Sequence, residues 1–265
     1  MLRASLPVSE MLMFELSPSL IAVLVVTGFL AGIINILAGG GSNLTLPALM
    51  LLGLPADMAN ATNRVGVFMQ SIVGIRGFAK HKKLPTQDLK GILLATLSGG
   101  LIGSVIASLM PNLYLKPLLL GAMISMALVI LVRPSVVLPG PDESIKKVSE
   151  TPPGFWMLFL AGIYGGFVQA GVGFILIAAI AGTLRYELVQ TNALKVLCTF
   201  AFTSVALVVF VFRGQVAWVP SLILGLSTMA GASIGVRLAL NVSPKVMKWF
   251  LFVMTVVASI AALIK

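Results

Sequence analysis

The chain has one cysteine and one histidine, and only eight acidic side chains, in 265 residues. A lone Cys198 inside an apolar run forms no intrachain disulfide and no cysteine metal site, and reads as a small core hydrophobe. His81, in a basic loop, reads as solvated. The acids are Glu10, Glu15, Asp57, Asp88, Asp142, Glu143, Glu150 and Glu187, all in tails, loops or segment ends. With so few acids and no nucleophile–base set, the chain does not read as an enzyme. The glycine cluster lacks the Lys-Ser/Thr of a phosphate loop, and no cofactor is expected. Charged residues make up 10%, against about 25% in soluble domains, which excludes a soluble globular protein. The net charge of +10 comes from Lys and Arg at segment ends and in loops. No basic stretch is interleaved with exposed aromatics, so no nucleic acid partner is expected. The N-terminus, with Glu10 and Glu15 ahead of a long apolar run, makes a poor signal peptide.

What is present is hydrophobic sequence, 58% of the chain with mean hydropathy +1.08. The runs are long enough to cross a bilayer core, which takes about 20 residues of helix. The chain reads as an all-α integral membrane protein whose partner is the lipid bilayer. It divides into two halves of five helical segments each: 18–38, 43–53, 60–79, 88–109 and 114–132, then 154–169, 173–183, 190–212, 217–240 and 245–264. Residues 1–17 read as a tail. The first transmembrane repeat covers 18–133 and the second 154–265. Residues 134–153, with five prolines, read as a cytoplasmic linker.

The halves carry the same module. Leu30-Ala31-Gly32-Ile33 precedes Ala38-Gly39-Gly40-Gly41-Ser42, and Leu160-Ala161-Gly162-Ile163 precedes Ala170-Gly171-Val172-Gly173. Thr62-Asn63 and Thr191-Asn192 follow, trailed by Arg64 and Lys195. Glycine-interrupted segments in corresponding halves point to a transporter's midplane site. Each second segment is too short to span and reads as a re-entrant or broken helix, with its free backbone facing protein or water. The loop with Lys80, His81, Lys82, Lys83 and Lys90 is cytoplasmic by the positive-inside rule. Threading the chain from there gives the halves opposite orientations, as inverted repeats. Gly99 and Gly103, like Gly231 and Gly235, have the spacing of close helix packing.

Arg64 and Lys195 stand apart among the ionisable residues. Each falls at the start of a third segment, beside a turning short helix. Helix starts offer free N–H groups and positive partial charge, which suits an anion. Gly40, Gly41, Ser42, Asn43, Gly171 and Gly173 belong to these starts. Thr62, Asn63, Thr191 and Asn192 add donors, and Gln169 and Asn35 lie near the glycine breaks. The expected site is a small positive cavity for a small anionic substrate. Asp57 and Glu187 are the only acids near enough to couple protons. The bland alternatives are a ligand-free helix break, cations that snorkel or pair with Asp57 and Glu187, and capping by Thr62 and Asn60.

Ala38-Gly39-Gly40-Gly41-Ser42 with Leu46-Pro47 resembles the glycine signature of the sulfite exporter TauE/SafE family. So do Leu52-Gly53-Leu54-Pro55, Ala59-Asn60-Ala61-Thr62-Asn63, Gly162 with Gly171-Val172-Gly173, Arg213-Gly214-Gln215-Val216, and Gly231 with Gly235. The resemblance covers nearly all of 20–264. It implies a bacterial inner-membrane permease, an exporter by name, for sulfite, thiosulfate or organosulfonates. The chain departs from the pattern at Val172, where glycine is common, and at Ala178, where the first half has Pro47. Alternating access around a midplane anion site is the expected mechanism. An anion channel, a permease for non-sulfur organic anions and a non-transporting membrane subunit are the rivals, and a homodimer is compatible with each.

Overall fold

The computed structural model describes residues 17–132 and 144–241. Residues 1–16 of the expected 1–17 tail, residues 134–143 of the expected 134–153 linker and the tenth segment at 245–264 lie outside the described residues. Among the described residues the regular elements are all helical: α1 (Pro18–Leu37), α2 (Ser42–Leu51), α3 (Ala56–Lys80), α4 (Leu89–Leu109), α5 (Asn112–Val132), a 3-10 turn (Val148–Glu150), α6 (Pro152–Phe167), α7 (Val172–Ile177) running on as a π-helical turn (Ala178–Thr183), α8 (Leu188–Phe212) and α9 (Trp218–Asn241). Four of them, α1, α4, α8 and α9, are long and apolar enough to cross a membrane.

The boundaries follow local chemistry. Ser17 caps α1 through its hydroxyl, with Pro18 in the first turn. α3 begins at Ala56 after Pro55, four residues before the expected start. Thr62 and Asn63 therefore lie inside the helix and do not cap it. Arg64 and Lys195 stand two turns into α3 and α8. The helix starts that were to flank the cations are displaced by that distance.

Both expected short segments turn back. In the first hairpin α1 ends as Ala38 and Gly39 both donate to the Ile34 carbonyl. α2 then returns, so that Leu20 and Leu24 of α1 pack with Leu49, Leu52 and Leu54. In the second hairpin α6 runs in and α7 returns, leaving Gly154 against Thr183 and Leu184. The hairpins open toward opposite ends of the bundle. Asp57, Asn112 and Gln215 meet at the end where the first hairpin opens. Asp88 accepts from the Val148 amide, and the Lys146 amide donates to Leu184, at the other end.

α3 and α8 lie at the centre, with Phe68 and Phe200 stacked at 5.1 Å. α1 packs along α9 and α4 along α6, each pair parallel. These pairs touch backbone to backbone. A Cβ on Gly103 would strike the Ile163 carbonyl oxygen, and one on Gly231 would strike that of Phe29. Without a hydrophobic drive between helices in lipid, close approach at small residues supplies the packing.

Candidate functional site: a cleft between two hairpin turns

The turns of the two hairpins meet. Gly39, at φ +88°, lies against Gly173, and the Gly173 amide donates to the Gly39 carbonyl at 3.4 Å. Beside this contact lies a narrow cleft with a cavity volume of about 10 Å³, the room that about one water molecule takes. The first turn contributes Asn35 and Gly39, the second Gln169 and Val172. α3 contributes Gln70 and Ser71, and α8 contributes Thr199.

Gln169 holds φ +67°, two residues past the end of α6 as Gly39 is two past α1. A left-handed glutamine is uncommon, and its strain of order 1 kcal/mol persists only where the surroundings enforce it. The turn places its carboxamide 3.4 Å from the Thr203 hydroxyl. Its Oε1 is buried without a partner, and so is that of Gln70. Both residues are 2% exposed. A buried polar atom left unpaired costs about 1–3 kcal/mol, and two of them line one cleft.

The two buried cations serve the hairpins reciprocally. Arg64 of α3 donates through Nη2 to the Gly166 carbonyl at 2.8 Å and to Phe167, and through Nη1 to Gly165, the last turn of α6. Asn60, one turn back, accepts from Nη2 and donates to Phe167 at 2.9 Å. Phe210 lies 5.6 Å from the guanidinium. Lys195 of α8 donates to the Ile36 carbonyl, in the last turn of α1, at 2.8 Å and to Asn192 Oδ1 at 2.9 Å. A cation suits a helix C-terminus, where free carbonyls and the dipole are negative. Neutral carbonyls do not cancel charge, and among the described residues no Asp or Glu is buried. Lys195 therefore stands behind the cleft wall, which includes its partner Ile36, while Arg64 sits at the end of α6, just ahead of the turn that carries Gln169. Arg64 Nε and Asn192 Nδ2 remain buried without partners.

The other expected site residues are dispersed. Asn63 ties α3 to α2, donating to Ser42 at 3.0 Å and accepting from Thr45 at 2.6 Å. The Gly41 amide donates to Asn35 Oδ1 at 2.7 Å. Gly40 packs near Phe174. Asn43 Oδ1 is buried without a partner, and Gly171 takes φ +74° ahead of α7. The Thr62 hydroxyl accepts from the Ala217 amide, and that of Thr191 donates to Tyr186. Asp57 accepts from Asn112 and Gln215 at one end of the bundle. Glu187 is exposed just before α8, toward the other end. Of the polar residues expected at the site, Asn35 and Gln169 line the cleft. The sequence reading missed Gln70, Ser71 and Thr199. Their one signal is polarity in mid-helix, six or seven residues past Arg64 and four past Lys195.

A model of the sulfite exporter TauE/SafE family matches residues 24–262. The chain belongs to that family. It is similar to "Probable membrane transporter protein ORF9" of a Sinorhizobium species, 26% identical with 95% of each chain covered. It is also similar to "Probable membrane transporter protein YfcA" of Escherichia coli, 26% identical over 93% of this chain and 91% of that one. A "Probable membrane transporter protein" of Haemophilus influenzae is 24% identical, covering 86% and 88%. This TauE/SafE protein is thus a membrane transporter and not an enzyme. Its cleft, bounded by both hairpin turns, is the candidate place for what it carries.

Proposed function

We propose that this protein exports a small sulfur-containing anion, such as sulfite, thiosulfate or an organosulfonate, across the bacterial inner membrane. The observation that carries the reading is the cleft between the hairpin turns, lined by Asn35, Gln70, Ser71, Gln169 and Thr199 among apolar side chains and backed at Ile36 by Lys195, with no acid buried among the described residues. A site without carboxylates, beside a lysine partnered only by neutral groups, favours an anion. The family's description supplies the sulfur chemistry. Two inverted repeats rocking about this cleft would give alternating access. The hairpins that open to opposite ends, and the exchange of α1 onto α9 and α6 onto α4, support that organisation. The end carrying Lys82, Lys83, Lys146 and Lys147 would face the cytoplasm.

The test is flux in proteoliposomes against sulfite, thiosulfate, sulfoacetate, taurine, sulfate, oxalate and acetate. Saturable uptake of a sulfur oxyanion, with counterflow, is expected. Equal flux of acetate and oxalate would overturn the sulfur reading, and large single-channel currents would replace the carrier with a channel.

A further inference from the structure

We infer that the species carried is an anion bearing its own hydrogen-bond donor, such as hydrogen sulfite, read by the carboxamides of Gln70 and Gln169. This rests on the permease reading above and narrows it. The cleft wall holds two unpaired acceptors. Gln70 Oε1 and Gln169 Oε1 are buried, unpartnered and part of its wall. The Ser71 hydroxyl spends its proton on the Val67 carbonyl at 2.7 Å and keeps only lone pairs for a ligand. With Gln169 Nε2 donating to the Thr203 hydroxyl, its Oε1 is the end left for a ligand. A fully deprotonated oxyanion offers acceptors alone. It would satisfy the N–H groups and set its negative oxygens against the carbonyls. An anion with O–H beside O− matches a carboxamide on both sides.

The absence of a buried acid among the described residues points the same way. Away from the helix ends, the buried or half-buried titratable side chains of the helices around the cleft are Arg64 on α3, Tyr164 on α6, and Lys195 and Cys198 on α8, while Arg76 on α3 is exposed. The Tyr164 hydroxyl donates to Ala170 at 2.6 Å, and Lys195 holds Ile36 and Asn192. Asp57, Asp88, Glu150 and Glu187 all sit at helix ends or in loops. Transporters relay protons through buried Asp, Glu or His. Here the proton travels on the substrate. Each turnover moves one proton and one net negative charge, and the O–H breaks only after release.

The experiment uses the purified full-length chain in proteoliposomes, sulfite as the probe, the membrane potential clamped, and protein-free vesicles subtracted. Initial rates are measured across the neutral pH range at fixed total sulfite, with a trapped pH dye. The expected rate follows the hydrogen sulfite fraction, with about one proton arriving per sulfite. Gln70→Leu is expected to raise the half-saturating sulfite concentration about tenfold, with Gln70→Asn in between. Lys195→Arg, which cannot release a proton, is expected to keep the pH profile. A rate independent of protonation, sulfite arriving without protons, or a profile abolished in Lys195→Arg overturns this inference while the permease stands. No sulfite flux at any pH overturns the sulfite reading itself.

Discussion

The amide of Gly173 donates to the carbonyl of Gly39 at 3.4 Å, and through this contact two hairpins that open to opposite ends of the bundle share one turning point. Asn35 and Gln169, on the two turns that meet there, line the cleft beside it. Gly39 is required there twice over, by its φ of +88° and by the Gly173 backbone that a Cβ would strike.

Gly39→Ala is expected to abolish most flux and to lower the thermal midpoint in detergent well beyond the conformational cost of about 1–2 kcal/mol for a left-handed alanine. Gly53→Ala is the control. Gly53 has the same φ of +88° with nothing within 4 Å, so it carries the strain without the collision. Equal losses in the two variants would remove the contact from the explanation.

Arg64→Lys is expected to destabilise by about 1–2 kcal/mol. One ammonium replaces a fork that serves Gly165, Gly166 and Phe167 together. Lys195→Met strips α1 of its terminal partner and the cleft of a nearby charge. Its expected signature is a loss of stability together with about tenfold weaker anion binding. Thermal midpoints and half-saturating concentrations, measured side by side, separate capping from attraction.

Asp57→Asn is expected to alter the maximal rate and leave the half-saturating concentration unchanged. Asp57 joins the start of α3 to Asn112 of α5 and to Gln215 ahead of α9, at an end of the bundle and away from the cleft. Glu187→Gln, on an exposed side chain, is expected to change neither parameter. The response to an imposed pH gradient should survive both substitutions together.

Gly103→Val is expected to prevent accumulation of folded protein. Its Cβ would meet the Ile163 carbonyl and the Phe167 amide across the α4–α6 contact. Gly121→Val, on α5 with nothing within 4 Å, should accumulate normally, as read by size-exclusion profiles of the extracted protein.

The helices were legible because bilayer-length apolar runs, glycine breaks and Ser17-Pro18 state their own limits. The two turn-backs were legible because segments that short cannot span. The start of α3 was not, since Ala56-Asp57-Met58 carries no strong helix signal and Pro55 disguises the boundary. The roles of Arg64 and Lys195 were hidden for another reason. Their carbonyl partners lie 101 and 159 residues away in sequence, and no local pattern records such contacts. Gln70 and Thr199 become neighbours only when α3 and α8 cross at a particular register, which side-chain packing decides and periodicity does not.

The bond from Lys195 to the Ile36 carbonyl also sets a schedule for biosynthesis. At roughly 5–20 residues per second, the ribosome needs about 10–30 seconds to travel the 159 residues between them. Through that interval the end of α1 waits in the translocon's surroundings without its final donor, and Arg64 waits in the same way for α6. The first hairpin is unfinished when it is made, whereas the second finds its arginine already in place. The newborn chain closes its halves by exchange, late and together, and a truncated first half would present the quality-control machinery with a bare guanidinium and an uncapped helix.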